Sequence, residues 1–435
     1  MTPPSARSVL VLGAGPAGLT AAYRLARQGL RVTLIDHAAA PGGQLVDEPR
    51  LPPLILGCHR ATTSLLKSLD RKERGWKDLA LEFRLSDDRF VRYPRSRFPN
   101  PLHIVFTLGR FGGLSRSERW RLLSWLEAIW EGSLELATDL EHRTAQEWLA
   151  SIGQGEQARR SVWNPLAHWL TGNELADLSA DALIRAVKPF LLQRPSDNRI
   201  ASPGNTWEET LVKPLRDRLT HEIALALRTP ALHLLHDRDR VAGVRVADGS
   251  VLQADWYISA LPPGRTTAIL PERWLSRYAY FQQIVELKTK PCRFVEVLVP
   301  QRLEAPRLVL FASGPFYWAV VGEGDRADTR AVLMTRAALT KSEPVRQQVN
   351  ELLRSLGLLA PAVHQLALGI GETPHAVLSL APGTKAKRPI QQSPITNLLL
   401  AGAWTDTGWP ANVESAILSG ERCAALVTGQ GSDSY

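Results

Sequence analysis

An α/β fold that opens on a dinucleotide-binding βαβ unit and interleaves it with a second lobe is predicted by three stretches of this 435-residue chain. Residues 8–36, SVLVLGAGPAGLTAAYRLARQGLRVTLID, carry the unit itself. Residues 231–263 and 397–425 read as further strands, turns and a helix of the same lobe. In the first stretch the apolar run Val9 to Leu12 enters Gly13-x-Gly15-x-x-Gly18, and an Ala/Leu-rich helix follows to about Gln28. A second β-branched run, Arg31 to Ile35, ends on Asp36.

Each glycine has a separate physical task. Gly13 permits the tight strand-to-helix turn, Gly15 lets the backbone approach a pyrophosphate, and Gly18 lets helix and strand pack closely. Ala14, Pro16 and Ala17 complete the cradle, which places the diphosphate on a helix N-terminus where unpaired N–H groups and the helix dipole favour an anion. Asp36 stands 18 residues past Gly18, close to the roughly 20 expected for the carboxylate that accepts the ribose hydroxyls and disfavours a 2′-phosphate.

The other two stretches read as follows. Ala231 to Val246 is a strand pair turning at Asp239, Asp248-Gly249 is a turn, and Asp255 to Ala260 is a strand running into Leu261-Pro262-Pro263. Residues 397–425 give a strand, a loop and a helix expected to start near Ala411, with Pro410 organising its first turn. That N-terminus, through the Asn412 and Val413 N–H groups, would stabilise negative charge developing on a bound ring.

After Asp36 and a five-residue spacer comes Gly42-Gly43-Gln44. This resembles the second glycine signature, GG-Arg, of the flavin amine oxidase and carotenoid desaturase superfamily, whose FAD domain also closes with a segment like 397–425. The resemblance implies a Rossmann-like FAD-binding domain interleaved with an α+β substrate-binding domain, as in flavin amine oxidases and phytoene desaturases. FAD would be held by Gly13 to Gly18, Asp36, Gly42 to Gln44, Gly402, Ala403 and Pro410 to Val413. Ala231 stands where relatives place a valine whose backbone meets the adenine. The FAD domain would take residues 1–60, 200–265 and 385–435, and the substrate domain 61–199 and 266–384.

The substrate domain carries Asn100-Pro101-Leu102-His103, Gly113-Leu114-Ser115, Thr144-Ala145-x-Glu147-Trp148-Leu149, Trp163-Asn164-Pro165-Leu166 and Ser179-Ala180 in order. With Ala381-Pro382-Gly383, Arg388-Pro389 and Thr405-Asp406-Thr407-Gly408, the series resembles the squalene-associated branch, the hydroxysqualene dehydroxylases of hopanoid biosynthesis. That implies reduced FAD delivering hydride to a C30 isoprenoid as its allylic hydroxyl leaves, giving squalene and water. Asp406 and His59 are the candidate proton donors; a surface ion pair and a core role are their ordinary alternatives.

Three positions depart from the superfamily pattern. Gln44 replaces Arg, Ala403 replaces the Asp of Gly-Asp, and Leu51-Pro52-Pro53 replaces Gly-x-His, so three polar contacts to the cofactor are missing or altered. Two further readings therefore stand beside dehydroxylation: carotenoid desaturation, which reverses the hydride flow, and a catalytically weak homologue that binds an isoprenoid or a partner.

Composition narrows the setting. With 44% hydrophobic and 22% charged residues, the chain supplies a two-lobed core. Apolar runs fall short of the ~18 residues needed to span a bilayer, and residues 1–8 lack the apolar core of a signal peptide, which leads us to expect a cytoplasmic protein. Cys58, Cys292 and Cys423 fit buried thiols and no metal site.

The net charge of +9 is concentrated: residues 89–121 hold eight arginines and one acid, Glu118. The arginines alternate with Phe90, Tyr93, Phe98, Ile104, Phe106, Phe111 and Trp120, and Leu122, Leu123, Leu126, Ile129 and Trp130 follow at helical spacing. This segment, 89–130, is expected to rest peripherally on an anionic membrane surface. An internal subdomain with solvated arginines is the structural alternative, and nucleic acid is not expected because no reading module accompanies the charge. The oligomeric state is left open.

Overall fold

The computed structural model describes residues 7–46, 51–71, 75–130, 139–191, 193–203, 206–301, 306–323, 329–337, 343–358 and 368–429. Within the helix Arg116–Trp130 the side chains of Leu126, Ile129 and Trp130 lie outside the described residues.

Five parallel strands form the first sheet in the order Leu398–Leu400, Trp256–Ser259, Ser8–Leu12, Arg31–Ile35, Ala224–Ala226. Parallel sheets are covered on both faces, which is why Val9 to Leu12 form an unbroken buried apolar run. The helix Pro16–Ala26 lies against the helix Val413–Thr428 with almost no gap: a Cβ on Gly420 would sit 2.3 Å from the Ala17 carbonyl oxygen. Arg24 and the buried Glu421 pair across this contact. Ala61, Leu65, Leu66 and Leu69 pack into the same core, so the lobe continues past residue 60. Strands Ala231–Asp237, Arg240–Val246 and Val251–Leu252 form an antiparallel sheet beside it.

The second lobe is built on a seven-stranded sheet ordered Leu368–Leu378, Thr289–Val299, Thr329–Thr335, Phe316–Glu323, Arg307–Phe311, Ala80–Arg84, Phe90–Arg92. Ala80–Arg84 pairs in parallel with Arg307–Phe311, so chain on either side of the first lobe's middle segment meets in one sheet. One face buries Val295, Val309 and Leu333 against Val349, Leu352 and Leu353 of the helix Glu343–Ser355. The other presents a cross-strand row, Phe83, Leu310, Trp318, Met334 and Phe294.

Helices from residues 102–191 close over this second face and leave a narrow apolar cavity of about 50 Å³. Tyr93, Ile104, Leu108, Phe111, Leu122 and Trp125 line it. The basic, aromatic stretch divides its side chains: Tyr93, Ile104 and Phe111 turn inward, while Phe98, Leu102, Val105, Phe106 and Trp120 are exposed. Among the described residues no helix is long and apolar enough to cross a membrane.

Candidate functional site

The turn after the first strand is fixed by steric demands. Gly13 has φ +104°, which L side chains rarely adopt, and a Cβ there would meet the Ala260 carbonyl oxygen at 2.8 Å. A Cβ on Gly18 would lie 1.9 Å from the Gly13 oxygen. At Gly15 the same test finds nothing within 4 Å, so the space beside its backbone is open. Gly15 is also the N-cap of the helix Pro16–Ala26, and no side chain caps that end. Open space over bare helical N–H groups is what a diphosphate requires.

Asp36 sits at the edge of this space. Its Oδ2 accepts the Ala14 N–H at 2.6 Å and its Oδ1 the Ala38 N–H at 2.7 Å; His37 Nδ1 also lies 3.1 Å from Oδ1, so Oδ2 keeps a further lone pair for a ribose hydroxyl. The Asp36 carbonyl accepts the Thr229 N–H at 2.7 Å, and Arg228 N–H bonds the Ala38 carbonyl at 3.0 Å. These bonds draw the start of the Ala231 strand alongside the dinucleotide turn. The second glycine pair docks there too: Gly42 N–H donates to the Ala14 carbonyl at 2.8 Å, and a Cβ on Gly43 would come 3.2 Å from Gly15 Cα. Gln44 points across to the second lobe, its Nε2 donating to the His375 carbonyl at 3.2 Å.

The C-terminal segment corrects one expectation. Its helix begins at Val413, not near Ala411, because the Asn412 side chain is the N-cap and accepts the Ser415 N–H at 2.9 Å. Pro410 therefore lies in the preceding loop and does not shape the first turn. The Asn412 and Val413 N–H groups make no hydrogen bond to another described group, so both are available to a cofactor's carbonyl oxygens.

Two buried charged groups that the spacing rules passed over hold this region together. The Glu414 carboxylate accepts Ala61 N–H at 2.8 Å, Thr62 N–H at 2.9 Å and Thr62 Oγ1 at 2.6 Å, tying the helix Arg60–Ser68 to the C-terminal helix. Burial nevertheless holds its pKa above the ordinary range. Arg388 donates to the carbonyls of Ala403, Trp404, Thr405 and Trp409. The Ala403 carbonyl is thereby fixed through its backbone although its side chain offers nothing.

Both proton-donor candidates sit at this closing loop. Asp406 Oδ1 accepts the Gly408 N–H at 3.0 Å, an Asx turn that shapes the loop. His59 is buried, with its ring edge-on to Trp409 at 5.6 Å between centroids. Its Nδ1 faces the Leu56 N–H at 3.4 Å, so the proton of the neutral ring belongs on Nε2, which has no partner among the described groups. Burial pushes its pKa down to about 4, so at neutral pH it is an uncharged donor. Leu51 to Leu54 lead, without regular secondary structure, into the short strand Ile55–Leu56.

A family model described as flavin containing amine oxidoreductase matches residues 16–428. The chain belongs to the flavin-containing amine oxidoreductase family. Within sequence relatives of this family, it is 24% identical to the 15-cis-phytoene desaturase of Synechococcus elongatus over 96% of this chain and 95% of that one. It is 23% identical to the zeta-carotene desaturase of Synechocystis, with 96% of each chain covered. Putrescine oxidase bound to putrescine shares the fold with a TM-score of 0.69 at 16% identity, covering 97% and 99% of the two chains. Reduced UDP-galactopyranose mutase does so with a TM-score of 0.66 at 16% identity, covering 98% and 96%. This flavin-containing amine oxidoreductase is an FAD-dependent oxidoreductase of the carotenoid desaturase type. FAD bound here would supply the two-electron chemistry, with the Gly15 turn, Asp36 and the Asn412 and Val413 N–H groups as the residues that would hold its diphosphate, ribose and ring edge.

Proposed function

We propose that this enzyme transfers hydride at a long apolar isoprenoid, with the reductive dehydroxylation of hydroxysqualene as its reaction. The apolar cavity carries the reading: Lys188 is the one charged residue among its lining residues, a lining that suits a hydrocarbon chain bound by burial and offers no carboxylate to receive an amine. In this reaction a C–O bond breaks, hydride takes its place on carbon, and the leaving hydroxide takes a proton to become water. The His59 Nε2–H is an unused buried donor beside the cofactor-closing loop, suited to hydrogen-bonding a leaving hydroxyl; the proton is drawn from solvent because the ring itself stays neutral.

The names of the sequence relatives favour a second reading, oxidative desaturation of a carotenoid precursor. Photoreduced protein incubated anaerobically with hydroxysqualene should reoxidise its flavin and yield squalene. Turnover of phytoene by the oxidised protein would replace this reading with desaturation. No reaction with either would leave an isoprenoid-binding homologue.

The proposal includes a membrane-resting mouth. The helix Leu102–Arg110 lines the cavity with Ile104 and Leu108 and exposes Leu102, Val105 and Phe106 on its far side. Phe98 stacks on Phe106 at 4.2 Å, and exposed Arg97 and Arg110 carry no ion pair among the described residues. Phosphatidylcholine vesicles containing phosphatidylglycerol should sediment the protein, and the Phe98→Ser, Phe106→Ser double variant should stay in the supernatant. Equal partitioning of both proteins would remove the membrane from the proposal.

A further inference from the structure

The loop between Gly402 and Pro410 is gripped by cations that lack a full complement of counter-charges. Arg388 is 9% exposed, and its guanidinium bonds only to carbonyls: Ala403 at 3.0 Å, Trp404 at 3.2 Å, Thr405 at 2.7 Å and Trp409 at 2.8 Å. Arg422 donates to the Asp406 and Thr407 carbonyls at 3.3 and 3.2 Å. Arg185 and Lys385, also near Arg388, are both paired with Asp181. The carboxylates that face Arg388 are Asp406, Glu141 and Asp181, none within ion-pair distance of it among the described residues. Arg388, buried and without a salt bridge among the described residues, is in contact with the loop that leads to the free N–H groups of Asn412 and Val413.

Carbonyl dipoles solvate a guanidinium without cancelling its charge, and in a buried setting that charge acts on its surroundings with little screening. Two-electron reduction of FAD with uptake of one proton leaves a negative charge on the ring.

We infer that Arg388 is an electrostatic positioning residue, which holds the 403–409 loop in place and supplies the positive charge that stabilises reduced, anionic FAD. It acts through the loop carbonyls it holds and through its field. The inference depends on FAD and not on the identity of the isoprenoid, so it can be tested without any substrate.

The holoprotein would be reduced anaerobically against reference dyes, and sulfite affinity, which reports stabilisation of negative charge on the ring, would be measured by bleaching of the visible flavin band. Arg388→Met should lower the reduction potential and weaken sulfite binding about tenfold, the scale of removing one buried unit charge. Arg388→Lys, which keeps the charge with fewer donors, should weaken FAD binding and leave the potential of the bound flavin near that of the wild type. Asp406→Asn keeps the turn and removes an opposing charge, so it should raise the potential and tighten sulfite binding. Equal potentials in the Met and Lys variants would reduce Arg388 to a structural clamp and overturn the inference. If Arg388→Met does not retain FAD, an unchanged potential in Asp406→Asn overturns it alone.

Discussion

Gly18→Ala is expected to abolish FAD binding and to destabilise the first lobe, whereas Gly15→Ala should spare the fold and weaken only the cofactor. At Gly18 the new methyl would stand 1.9 Å from a backbone oxygen, which no rotamer change can relieve. Overpacking of this kind costs about 3 kcal/mol, and the turn that must open is the diphosphate cradle itself. At Gly15 the backbone has φ −74° and the space is open, so apo stability should stay within about 0.5 kcal/mol of the wild type. The methyl would occupy the approach of the diphosphate, and FAD affinity should fall at least about tenfold, or about 1.4 kcal/mol. Thermal unfolding of the apoproteins together with FAD titration separates the two effects. Equal loss of apo stability in both variants would mean that the space at Gly15 is not a ligand's.

Stability should fall as pH is lowered from about 6.5 towards 4. His59 is held down to about 4 by burial. His168, stacked on Tyr317 at 3.5 Å, is held down to about 3 by burial and by the charges of Arg336 and Lys290. In the unfolded chain both take a proton near 6.5. Between those limits the unfolded state binds more protons, so protons favour unfolding, by about 3 kcal/mol for each ring at pH 4. Glu414 and Glu421 are raised above the ordinary carboxylate range by burial and act in the opposite sense, since the folded state then binds the extra proton. The net expected change is a loss of stability, smaller than the two rings alone would give and still a large share of a domain's stability. Urea midpoints at pH 7 and pH 5 measure it. His168→Phe preserves the stack and should flatten the profile; an unflattened profile would take His168 out of the account.

The dinucleotide turn was legible because its requirements are local: positive φ at Gly13 and close approach at Gly18 constrain residue type within a few positions. The helix start after Pro410 was misplaced although the signal was present, since Asn412 is a better N-cap than any residue before it in the loop. The basic stretch was harder. Nothing within residues 89–121 says that Tyr93, Ile104 and Phe111 turn inward, because the sheet they cover is completed by Arg307–Phe311, far along the chain. Arg388 and Glu414 escaped for the same reason: a charged residue's burial depends on partners, and theirs are the 403–409 carbonyls and the Ala61 and Thr62 amides.

The sequence by itself determined the βαβ unit and its dinucleotide cradle, since short-range backbone sterics and a fixed glycine spacing leave little choice there, while the interleaved plan and the flavin were legible through the resemblance carried by Gly42 to Gln44 and residues 397–425. Tertiary structure alone decided which aromatics of the basic segment build a cavity and which meet the outside, and which buried charges support the cofactor loop. Those outcomes depend on contacts between segments distant in the chain, where burial and hydrogen-bond satisfaction are settled only when the two lobes close.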